Sequence, residues 1–124
     1  MSGPYRLSCH CQAVVLEVRA THPLSEMGRC DCSYCRRRGA AMIGADPADV
    51  TLLSGADALG EYRFGTQTAR HFFCKTCGIY THHQRRMEPH DIGLNVGCLE
   101  GLPARIVDQA VWFDGVTHPS DAET

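Results

Sequence analysis

The 124-residue chain has no apolar run approaching the length of a membrane-spanning helix. It carries little net charge: 12 Lys and Arg stand against 14 Asp and Glu, a formal balance of −2. That excludes the global basic field with which a small domain recruits nucleic acid or an anionic surface. Lysine is almost missing. Lys75 stands alone, so the positive charge is carried by arginine. The first residues, MSGPYRLSCHCQ, lack the basic start, apolar stretch and small-residue cleavage site of a secretory signal. The expectation is therefore a cytoplasmic protein whose thiols stay reduced. No segment keeps a helical period through three turns, and no repeat, linker or low-complexity tract divides the chain. With 44% hydrophobic and 21% charged residues, an ordinary globular domain over 1–124 is expected.

What the chain does have is cysteine. Seven of its eight cysteines fall into three clusters: Cys9-His10-Cys11, Cys30-Asp31-Cys32-Ser33-Tyr34-Cys35, and Cys74-Lys75-Thr76-Cys77-Gly78. Disulfides between Cys9 and Cys11, or Cys30 and Cys32, would close small strained rings. Thiolates at these spacings can instead converge on one soft cation, and zinc accepts four sulfurs in a tetrahedron. Cys74-x-x-Cys77-Gly78 has the form of a zinc knuckle, with strand candidates on both sides. Cys9 and Cys11, at alternate positions of an extended segment, share a side and supply two more sulfurs, while His10 points away. The two pairs make one complete four-thiolate shell.

Cys30, Cys32 and Cys35 are three thiolates from six residues. Either Cys98 closes this shell, or the fourth position stays open to an exogenous thiolate or oxygen, as in catalytic zinc sites. Spacing leaves both possibilities standing. Cys98 otherwise reads as a small buried residue.

The remaining pattern is that of short strands. Gln12 to Ala20 alternates, with Val14, Leu16 and Val18 on one face and Glu17 and Arg19 on the other. Further strands are expected over 24–29, 40–44, 50–53, 59–64, 69–73, 92–96 and 106–113, with frequent turn signals between them. A helical turn is expected near 35–38, and a frayed polar end over 118–124. The fold class is mainly β.

Two basic groups adjoin these elements. Arg36, Arg37 and Arg38 follow Cys35 directly, and Arg85 and Arg86 follow the strand after the knuckle. Beside an open metal site they favour an anionic substrate; otherwise they form a solvated face. His82 and His83 are candidates for acid–base or ligand roles, and strand alternation places them on opposite faces.

Taken together, Cys9-His10-Cys11 with Val14, Cys30-x-Cys32-Ser33-x-Cys35-Arg36-x-x-Gly39, Phe73-Cys74-x-x-Cys77-Gly78 and Asn95-Val96-Gly97-Cys98-Leu99 resemble the glutathione-dependent formaldehyde-activating enzyme family. The resemblance spans Cys9 to Phe113. It implies a β-tent fold of stacked antiparallel sheets. It implies a structural zinc on Cys9, Cys11, Cys74 and Cys77, and a second zinc on Cys30, Cys32 and Cys35 whose open position is the active centre; three thiolates without a fourth protein ligand make that second zinc the more labile. The implied activity is that of a carbon–sulfur lyase or synthase, joining formaldehyde and glutathione reversibly into S-hydroxymethylglutathione. Leu7 stands where the family usually has glycine, and the Arg- and His-rich segments at 36–38 and 81–86 mark a subgroup.

Three functions follow: a zinc-dependent enzyme acting on a small thiol–aldehyde adduct, a zinc-stapled binding module without chemistry, or a redox protein using Cys98. The expected partner is a small-molecule thiol or thiol–aldehyde adduct, and neither nucleic acid nor membrane. An open metal position at Cys30, Cys32 and Cys35 separates the first from the second. An exposed Cys98 with a depressed pKa is required by the third.

Overall fold

A computed structural model describes residues 2–65, 67, 69–85 and 91–114. Arg86 and the 118–124 segment lie outside the described residues. Among the described residues ten strands form two sheets. The smaller contains β1 (Ser2–Ser8), β2 (Val15–Ala20) and β5 (Val50–Ser54), in the order β1-β2-β5 and antiparallel throughout. The larger is built from β3 (Gly28–Cys30), β4 (Met42–Ala45), β6 (Leu59–Tyr62), β7 (Arg70–Cys74), β8 (Tyr80–Gln84), β9 (Ile92–Asn95) and β10 (Val111–Phe113). Its order is β10-β3-β4-β9-β8-β7-β6. All its pairs are antiparallel except β10 with β3, a parallel pair at one edge.

The alternation in the second strand is real. Val14, Leu16 and Val18 are buried to 1% exposure or less, while Arg19 is in water. They meet Leu7 of β1, Ile43 and Ala45 of β4 and Leu94 of β9 in one apolar cluster that draws on both sheets. Burial of this continuous face is the main force holding the sheets together. A bridge between Leu7 and Leu99, and the Glu100 N–H donating to the Arg6 carbonyl at 2.9 Å, tie the first strand to the segment after β9.

Two expected strands are partly something else. Pro23 starts a 3₁₀ turn over Leu24–Glu26, so only Gly28 onward is strand. Pro103 likewise opens a 3₁₀ helix over Ala104–Gln109, leaving Val111–Phe113 as the strand. The Arg105–Asp108 ion pair at 3.1 Å fits the three-residue repeat of that helix. Conversely, β1 was hidden by Gly3-Pro4. It is an edge strand with a register shift between Ser2 and Tyr5, where proline is tolerated.

The expected helical turn is α1, Ser33–Arg38. Cys32 caps its start by accepting the Cys35 N–H on its sulfur at 3.3 Å, and Gly39, in the left-handed region at φ 66°, ends it. The element between β3 and β4 is thus a single short helix whose cap is itself a thiol.

Candidate metal centres and the adjoining cleft

The first cysteine pair sits in the turn between β1 and β2, the last in the turn between β7 and β8. Packing of the two sheets brings these turns together. The four Sγ atoms of Cys9, Cys11, Cys74 and Cys77 lie within 4.8 Å of one another. The Cys9–Cys11 and Cys11–Cys74 sulfur separations are both 3.7 Å. A tetrahedral zinc with bonds of about 2.3 Å requires sulfurs roughly 3.8 Å apart, so the donor set fits that ion. Backbone N–H groups point at the sulfurs, from Val14 to Cys9 at 3.3 Å and from Cys77 to Cys74 at 3.5 Å. Gly78 holds φ 81° with open space where a Cβ would be, so the knuckle turn needs its backbone freedom. The N–H groups of Cys11 and Ile79 pull Cys77 down to about 6. The Ala13 N–H favours ionisation of Cys11, but burial and the thiols of Cys74 and Cys9 outweigh it and hold Cys11 up at about 11. Four thiolates cannot ionise together without a cation to absorb their repulsion. His10 is exposed and takes no part.

The second cluster is local. Cys30 ends β3, Cys32 caps α1 and Cys35 lies in its first turn. Their sulfurs also converge within 4.8 Å, each partly exposed. Cys98 does not join them. It is 8% exposed, its Sγ hydrogen-bonds the Tyr80 carbonyl at 3.6 Å, and burial pushes its thiol up to about 11. A buried thiol with a raised pKa is a poor nucleophile, which removes the redox reading's premise. Burial raises Cys30 and Cys35, with the Arg38 charge offsetting part of the effect at Cys35. Burial opposes ionisation of Cys32 too, but the backbone N–H groups of Cys35 and Tyr34 outweigh it and lower that thiol. The cluster is one easily ionised sulfur between two reluctant ones, a set that a divalent cation would bring to a common ionised state.

An open cleft of about 560 Å³ adjoins α1. Tyr34, Arg37 and Arg38 line it from the helix, Tyr62, Phe73 and Tyr80 from β6, β7 and β8, and Gly78 from the knuckle. The Arg38 guanidinium lies 5.1 Å from the Tyr34 ring centre and 4.1 Å from that of Tyr80, and its Nη1 bonds His71 Nδ1 at 3.2 Å. Its Nε is enclosed with no hydrogen-bond partner. Tyr34 stacks on Tyr62, with ring centres 5.5 Å apart, and meets His71 at 4.5 Å. Beyond them His83 stacks on His71 and shares a 2.6 Å hydrogen bond with the Tyr80 hydroxyl. Burial and the Arg38 charge hold His83 well below the usual imidazole range, hence neutral.

The sequence-derived substrate residues separate on this map. Arg37 and Arg38 reach the cleft, and His83 lies behind its wall. Arg36 is exposed and does not line it, and Arg85 is exposed just past the end of β8. His82 faces a different cavity, of about 240 Å³, lined from both sheets by residues including Leu16, Val50 and Phe72. There it stacks on Phe72 at 4.7 Å and pairs with the Thr81 hydroxyl at 2.8 Å. The aromatic wall went unnoticed in the sequence. Tyr34 and Arg38, four apart on one helix, were the available signal.

A sequence model of the glutathione-dependent formaldehyde-activating enzyme family matches residues 4–114. The chain is also similar to a Rhodobacter sphaeroides protein of known crystal structure, at 48% identity and a TM-score of 0.82, over 87% of this chain and 99% of that one.

Proposed function

We propose a function from one premise: the chain belongs to the glutathione-dependent formaldehyde-activating enzyme family. It is a zinc-dependent enzyme that makes and breaks the carbon–sulfur bond of a small thiol–aldehyde adduct of the S-hydroxymethylglutathione kind. The observation that carries this reading is the convergence of Cys30, Cys32 and Cys35 without a fourth protein thiol.

The two clusters have different parts in this reading. Cys9, Cys11, Cys74 and Cys77 hold a structural zinc. Cys30, Cys32 and Cys35 hold a second zinc, which supplies a positive charge able to favour a thiolate and to polarise a carbonyl oxygen. In the reaction a thiol sulfur bonds to the carbonyl carbon and the π electrons move to oxygen. The proton lost from sulfur is matched by one gained at oxygen, so no oxidant or reductant is consumed. The chain's own contribution is positional. The α1 cap fixes Cys32 and Cys35 relative to each other, and the Arg38 charge favours anions beside Cys35.

The test is exchange between formaldehyde and its glutathione adduct, followed by NMR with and without the zinc-loaded protein. Acceleration that Cys32→Ala abolishes, with circular dichroism unchanged, is the expected result. If zinc-loaded protein accelerates exchange with no small thiol, the chain is instead a zinc-stapled binding module.

A further inference from the structure

The cleft beside α1 has a composition that selects its ligand. Five of the ten described arginines are paired with carboxylates: Arg6 with Glu100, Arg19 with Glu17 and Asp49, Arg63 and Arg70 with Glu61, and Arg105 with Asp108. Arg37 and Arg38 are not. Arg37 donates only to the Ser33 carbonyl, at 2.6 Å, and Arg38 rests on two aromatic faces and an imidazole. Two cations on one wall without a carboxylate make a site for an anion. The rest of the lining is aromatic, from Tyr34, Tyr62, Phe73 and Tyr80, with Tyr34 stacked on Tyr62, Arg38 over Tyr80, and Tyr62 itself 48% exposed. No Asp or Glu is among the described residues lining the cleft, so an ammonium group would meet only like charge.

We infer that this cleft binds the carrier portion of the thiol substrate, and that the preferred carrier is a flat apolar group bearing a carboxylate and no ammonium, as in a mercaptobenzoate. The thiol end of this inference rests on the proposed function. The cleft and its ligand class stand on the geometry of Arg37, Arg38 and the aromatic wall. In this arrangement the carboxylate meets Arg37 and the Arg38 charge, the apolar body lies on Tyr62, and the sulfur is directed along α1 towards Cys35. A zwitterionic peptide thiol leaves its ammonium uncompensated in the same place, and is a poorer fit.

The probe is phenylacetate, which has the apolar body and the carboxylate but no thiol. It is titrated calorimetrically into the zinc-loaded full chain beside phenethyl alcohol, phenethylammonium and acetate. Phenylacetate should bind about tenfold or more tightly than each of the others, the span of one charge-assisted contact or one buried ring. Arg37→Gln and Tyr62→Ala, both at exposed positions, should each weaken phenylacetate by about tenfold, and Tyr62→Phe should restore it. Equal binding of the alcohol or of acetate, unchanged affinity in both variants, or no binding to folded zinc-loaded protein would overturn the inference. Exchange kinetics separate the two claims. Phenylacetate binding without catalysed thiol–aldehyde exchange removes the proposed function and leaves the ligand class of the cleft. Exchange that proceeds no faster with mercaptobenzoate than with cysteamine does the opposite.

Discussion

Cys74 shows how much one side chain carries. It is fully buried, accepts the Cys77 N–H, and its sulfur lies 3.7 Å from that of Cys11 in the turn between β1 and β2. Cys74→Ser should release one zinc per chain and remove more than about 5 kcal/mol, enough to unfold a domain of this size. Metal analysis and melting temperature check it, and unchanged values for both would refute the assignment. His82 offers a subtler reading through pH. Burial lowers it from 6.5 to about 4. The unfolded chain therefore takes up a proton first as pH falls. The stability this group contributes is complete above about pH 6.5 and is lost progressively towards pH 4, up to about 3 kcal/mol. His82→Phe, which keeps a ring on Phe72, should remove that slope. Acid unfolding by the thiol clusters is common to both proteins, so the difference between their stability curves over that window isolates His82. Equal slopes would show that His82 does not titrate as its burial requires. At this scale the cysteines were legible because thiol spacing is itself chemistry. Tyr62, Phe73 and Tyr80 were not, because an aromatic residue on a strand reads the same whether it fills a core or walls a cleft.

Between residues and the molecule stand the elements, and here legibility followed local rules. β2, β4, β5, β6, β7 and β9 were visible from alternation and turn residues, and α1 from the cysteine spacing with Gly39 behind it. The 3₁₀ helices at Leu24–Glu26 and Ala104–Gln109 were not, since a three-residue repeat over one or two turns looks like an irregular strand. The parallel pairing of β10 with β3 lay beyond local reading, because it joins segments some eighty residues apart. One pairing bears directly on the cleft. Gly93 of β9 is opposite His83 of β8, and a Cβ there would lie 2.3 Å from the imidazole. The glycine leaves room for the ring that supports Tyr80. Gly93→Ala should force His83 off His71 and break its bond to the Tyr80 hydroxyl, at about 1–3 kcal/mol of overpacking. A lowered melting temperature together with shifted His83 ring resonances is the expected pair of signals. Full stability with unmoved resonances would mean the strands part easily at this point.

On the scale of the molecule the two thiol clusters do different work, because they close different lengths of chain. The four-thiol cluster joins the turn after β1 to the turn after β7, with Cys11 and Cys74 separated by 63 positions in the sequence. A metal held there would lock one sheet to the other next to the shared core. The three-thiol cluster closes only the few residues from Cys30 to Cys35, inside a helix cap that already holds its own hydrogen bonds. The long closure exists only while the two sheets are packed, because the ion has no preformed site in the unfolded chain, so its release and unfolding are coupled. The three-thiol sulfurs are each partly open to solvent, whereas the four-thiol cluster has Cys9 and Cys74 buried, Cys77 half-buried and Cys11 exposed. A chelator should therefore strip a zinc-loaded chain in two phases. The first phase removes about one equivalent and abolishes thiol–aldehyde exchange. Far-ultraviolet dichroism and the melting transition stay close to their starting values, since no contact between the sheets depends on that ion. The second phase, slower and needing more chelator, removes the other equivalent and unfolds the sheets together. Cys32→Ala should show the second phase alone, at an unchanged rate. Loss of both metals in one step, coincident with unfolding, would mean that the three-thiol cluster is as much a part of the scaffold as the knuckle, and the division between a structural and a reactive centre would fall.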